Sequence, residues 1–85
     1  MKRIYSLNLI AFLMAETGFR PTLFQDEETK AFYAVFPESK EIGTYIEYWR
    51  NGNPVIDIHA FLLEYEKLRN MIKLLREVKN NGTES

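Results

Sequence analysis

From Asp57 to Lys79 the chain reads as one long amphipathic helix, and this run constrains the fold more than any other. Ile58, Phe61, Tyr65, Leu68, Ile72 and Leu75 recur at alternating intervals of three and four. At about 100° per residue they form one stripe along a helix. The run also carries apolar side chains off that stripe. Leu63 and Leu74 fall outside it. In the C-terminal half, Met71, Ile72, Leu74, Leu75 and Val78 widen the apolar arc to roughly 160°. So wide an arc predicts contacts on two sides, one with the chain's own domain and one with a partner. The commonest symmetric solution is a C2 homodimer, which uses the same surface twice. This reading assigns Leu63, Met71, Leu74 and Val78 to the interface; the alternative is that the domain's own elements cover them all.

The rest of the chain must supply what the helix packs on, and 85 residues allow one domain. At this size only roughly 60–65% of the unfolded surface is buried, so stability is a constraint. With no cysteine and one histidine, neither disulfides nor a metal are on hand to staple it. A dense core or oligomerisation must do so, and a composition 46% hydrophobic and 14% aromatic suits both. The expected domain is 1–79, with 80–85 a disordered polar tail.

Ser6 predicts an N-cap for a helix over Leu7–Thr17, closed by Gly18 in the left-handed conformation. That segment is apolar almost all round its axis, which places it at the centre of the fold. Phe19–Gln25 and Ala31–Phe36 read as two strands joined by a polar loop, hence a β-hairpin. In the second strand Phe32, Ala34 and Phe36 face one way, and Ala31, Tyr33 and Val35 the other. One face is expected on the helices, and the other against a partner or the third helix. Ser39 caps a helix that keeps its spacing through Ile42, Tyr45, Ile46 and Trp49 and stops at Asn51-Gly52-Asn53-Pro54. Lys2–Tyr5 and Val55-Ile56 are candidate short strands, and Asp57 caps the long helix. The expected class is α+β, in the order β-α-β-β-α-α, with helices mainly on one face of a small antiparallel sheet.

No catalytic or metal motif emerges. His59 stands in the first turn of the long helix without a companion ligand. Asp26-Glu27-Glu28 lacks the alternating oxygen ligands and turn glycine of a calcium loop. No Ser-His-Asp set, Cys-His set or glycine-rich phosphate loop can be assembled. The expectation is a non-enzymatic protein with no cofactor and no metal. The net charge of −1 and pI near 5.8 give no global field for nucleic acid or an anionic membrane. The apolar run Ile4–Ala15 is too short to span a bilayer, so the expected setting is cytoplasmic.

Two local features keep ligand readings open. Tyr45, Tyr48 and Trp49 beside Arg50 form an aromatic set, of which Tyr48 is off the apolar stripe and the one expected to be exposed. Arg69, Lys73 and Arg76 form a basic line on the long helix, with Lys67 and Lys79 adding charge. Such a line suits a phosphate backbone, although cations near a helix C-terminus also answer the macrodipole.

The order Ile4-Tyr5-Ser6-Leu7-Asn8-Leu9, Phe12-Leu13, Gly18-Phe19, Tyr33-Ala34-Val35-Phe36-Pro37-Glu38, then Tyr48, Val55, Asp57 and Phe61, carries a resemblance. It resembles a family of small uncharacterised proteins of Gram-positive bacteria and their phages, over the chain to about Ile72. The resemblance implies a small α/β domain, a cytoplasmic setting and a prophage origin, and it implies no activity for any residue.

Overall fold

The computed structural model describes residues 2–52 and 54–84, with side chains through Val78. Three helices and a two-stranded antiparallel sheet make an α+β fold. The order is α1 (Leu7–Thr17), β1 (Thr22–Gln25), β2 (Phe32–Val35), α2 (Lys40–Arg50) and α3 (Ile58–Glu84).

Helix α1 begins where the Ser6 hydroxyl accepts the Leu9 N–H. It ends where Gly18, at φ 73°, donates its N–H to the Met14 carbonyl. Ile10, Ala11, Phe12, Leu13 and Met14 are all buried, as an all-round apolar helix requires. Helices α2 and α3 both pack on α1. Phe12 is the hub on the α2 side, with its ring centroid 5.0 Å from Trp49 and 6.1 Å from Tyr45. Leu68 and Ile72 close the α3 side.

The strands are shorter than their apolar runs, covering Thr22–Gln25 and Phe32–Val35. Pro21 has no N–H for the ladder, and the paired stretch begins just after it. The register Leu23↔Ala34 and Phe24↔Tyr33 sends Leu23, Phe32 and Ala34 inward and Phe24, Tyr33 and Val35 outward. The N-terminal strand reduces to one residue, Ile4, which bridges to Ala34 on the other side of β2. The Val55-Ile56 strand does not form: the pair stays outside any ladder. The Val55 N–H instead donates to the Tyr48 hydroxyl at 2.8 Å.

Asp57 caps α3 by accepting the N–H groups of His59 and Ala60. The helix continues to Glu84, past its expected end at Lys79, and spans 27 residues or about 40 Å. The expected tail 80–85 therefore begins as helical backbone, and its side chains lie outside the described residues. At 11 residues, α1 is less than half as long as α3. The molecule is elongated, 46 × 27 × 19 Å. No helix among the described residues is long and apolar enough to cross a membrane.

Candidate interaction surface

Leu68, fully buried against α1, marks the inward face of α3. At about 100° per residue, Leu63, Leu74 and Val78 lie roughly 80–140° to one side of it, and Arg69, Lys73 and Arg76 the same angle to the other. The apolar edge and the basic line thus occupy opposite flanks of one helix.

On the apolar flank, Leu63 is 49% exposed, Leu74 61% and Val78 67%. They stretch along about 22 Å of helix. Met71, expected beside them, is half-buried and packs against the chain's own core. It lies only about 60° from Leu68, close enough for its flexible thioether chain to reach inward. Lys67 is also on this flank and so cannot extend the basic line; its ammonium pairs with Glu64 at 3.3 Å. Glu64 is held from the other side by Arg20 at 3.3 Å. These exposed pairs add little stability.

On the opposite flank the three cations border a groove of ≈ 710 Å³ beside the start of α1, with Leu7, Leu62 and Tyr65 among its walls. Among the described residues none of the three forms an ion pair. Arg76 is engaged within the chain, its guanidinium carbon 5.7 Å from the Phe32 ring centroid. Lys79 adds nothing that can be placed, because its side chain lies outside the described residues.

Ile58 sits on the expected buried stripe yet is 64% exposed. Leu62, which the stripe does not include, is 55% exposed. Both belong to the first turns of α3. Tyr48 is exposed, at 39%, as its position off the stripe implies. Its hydroxyl is nonetheless used to accept the Val55 N–H.

The model for a domain of unknown function, DUF5659, matches residues 2–80. The chain belongs to this DUF5659 family. The match includes Leu74 and Val78, and so extends past Ile72, where the resemblance weakens. No curated protein and no solved structure matches the chain.

Proposed function

We propose that the chain is a non-enzymatic interaction module that forms a homodimer through the apolar flank of α3. The exposed row Leu63, Leu74 and Val78, outside the domain's own packing, carries this reading. An isologous contact brings the same flank of two copies together and covers these side chains.

Magnitudes set how tight the dimer is. Each of these side chains is about half to two-thirds exposed, so full burial of six of them contributes on the order of 5–10 kcal/mol. Association costs about 4–15 kcal/mol in lost freedom. At the favourable ends of both ranges the net is about −6 kcal/mol, so the dimer is weak, with a Kd of roughly tens of micromolar or higher. Size-exclusion chromatography with light scattering tests this: the mass should climb from monomer towards dimer with concentration. A strict monomer at millimolar concentration removes the proposal.

A second reading rests on the three cations sharing one groove. It is nucleic-acid binding by Arg69, Lys73 and Arg76, in the prophage setting the sequence resemblance implies. Three phosphate contacts give a shallow salt dependence and weak affinity, and Arg76 is already engaged with Phe32. For this reason we rank it second. Mobility shift at low salt, with DNA and with RNA, decides it, and no shift with either ends it. In both readings we place the protein in the cytoplasm.

A further inference from the structure

The outward face of the sheet carries three aromatic rings in a row, contributed by three chain segments. Tyr5 and Tyr33 have centroids 5.3 Å apart, and Tyr33 stacks on Phe24 at 5.5 Å and 23°. Tyr5 is 45% exposed and Phe24 43%. The hairpin loop at one end of this row supplies three carboxylates, Asp26, Glu27 and Glu28.

Arg3 demonstrates how a cation uses the face. Its guanidinium carbon lies 4.7 Å from the Tyr33 ring centroid, and its Nη1 is 3.7 Å from the Asp26 carboxylate. The planar cation thus has a π face on one side and a carboxylate at its edge. Phe24, Glu27 and Glu28 line one groove of ≈ 560 Å³ with Arg3, Asp26 and Tyr33, so a second ring and two further carboxylates lie along the same face. Among the described residues, no cation of this chain covers Phe24.

We infer that this sheet face docks an arginine-bearing basic segment of a partner protein, with a guanidinium over Phe24 and its edge towards Glu27 and Glu28. Charge selects this occupant over single-stranded nucleic acid, which also stacks on aromatic rings: the rim of carboxylates repels phosphate. The surface is separate from the α3 flank, so the two succeed or fail independently.

Fluorescence anisotropy with a labelled Arg-Gly repeat peptide tests the inference, beside a matched Lys-Gly peptide and a labelled oligouridine. The Arg-Gly peptide should bind best and lose affinity with added salt. Phe24→Leu, which keeps the apolar bulk and removes the ring quadrupole, should weaken it about twofold to fivefold. The double variant Glu27→Gln/Glu28→Gln should weaken it as well, and it alters only exposed loop side chains. Binding unchanged in both variants overturns the proposal. So does a preference for oligouridine, or equal binding of the arginine and lysine peptides.

Discussion

Ile4 and Ala34 exchange a closed pair of backbone hydrogen bonds, the Ile4 N–H to the Ala34 carbonyl at 3.0 Å and the Ala34 N–H to the Ile4 carbonyl at 2.8 Å. One residue of the N-terminal segment thereby acts as a third strand. It points its own side chain into the core and sets Arg3 and Tyr5 on the outward face beside Tyr33. Truncating Ile4 leaves a cavity under the sheet. Ile4→Ala should cost about 2–4 kcal/mol in urea unfolding, far more than a segment of this length would lose if it were a loose terminus.

Leu68 and Leu74 are six residues apart on α3 but belong to different environments, the first fully buried and the second 61% exposed. Leu68→Ala should destabilise the monomer by about 3–5 kcal/mol. Leu74→Ser should change monomer stability by no more than about 0.5 kcal/mol. Chemical denaturation at low micromolar concentration, where the monomer dominates, makes the comparison.

Lys30 is the one described non-glycine residue with positive φ, at 65°. It sits where the hairpin loop closes, donating its N–H to the Asp26 carbonyl at 2.9 Å. A lysine Cβ is strained there and a glycine is not. Lys30→Gly should raise stability by about 1 kcal/mol, read as a higher urea midpoint with unchanged slope. Lys30→Val should lower the midpoint.

Asp26 organises the same loop. One carboxylate oxygen accepts the backbone N–H groups of Glu28 and Thr29 at 2.9 and 3.1 Å. Those two bonds, Thr29's first and then Glu28's, hold its carboxyl below the usual carboxylate range, with smaller help from Tyr5 and Arg3. A folded pKa below the unfolded value means the contribution is complete above the ordinary carboxylate pKa of about 3.9. It is lost as pH falls through the lower, folded value. Acid titration followed by carbon NMR should show Asp26 titrating below the usual carboxylate range. Asp26→Asn keeps the acceptor oxygen and should flatten this part of the acid limb.

Much of this architecture follows from local chemistry. The caps at Ser6, Ser39 and Asp57, the terminating Gly18 and the all-apolar α1 act within a few residues of themselves, so the sequence displays them directly. What the sequence left open depends on lengths and neighbours. A 27-residue helix crosses an 11-residue one, so the ends of its stripe have nothing to pack on, and Ile58 is exposed despite correct spacing. Met71 is half-buried because it packs on the core cluster, a tertiary neighbour that helical spacing does not encode. The separation of the apolar edge from the basic line was available from angles alone, and Lys67 on the apolar flank was its signal. The aromatic row was only half visible. Tyr33 and Phe24 alternate outward in their strands, but the Ile4 bridge that brings Tyr5 beside them is a long-range pairing that no local pattern encodes.

The dimer proposal places three particular side chains at a symmetric contact, and an isotope-filtered NOE experiment tests that placement most directly. A mixture of carbon-13-labelled and unlabelled protein near millimolar concentration would show intermolecular NOEs to the methyl groups of Leu63, Leu74 and Val78, all of which vanish in Leu74→Lys. A spectrum with no intermolecular NOEs, or with NOEs confined to Leu62 and Phe24 on other faces, would contradict it.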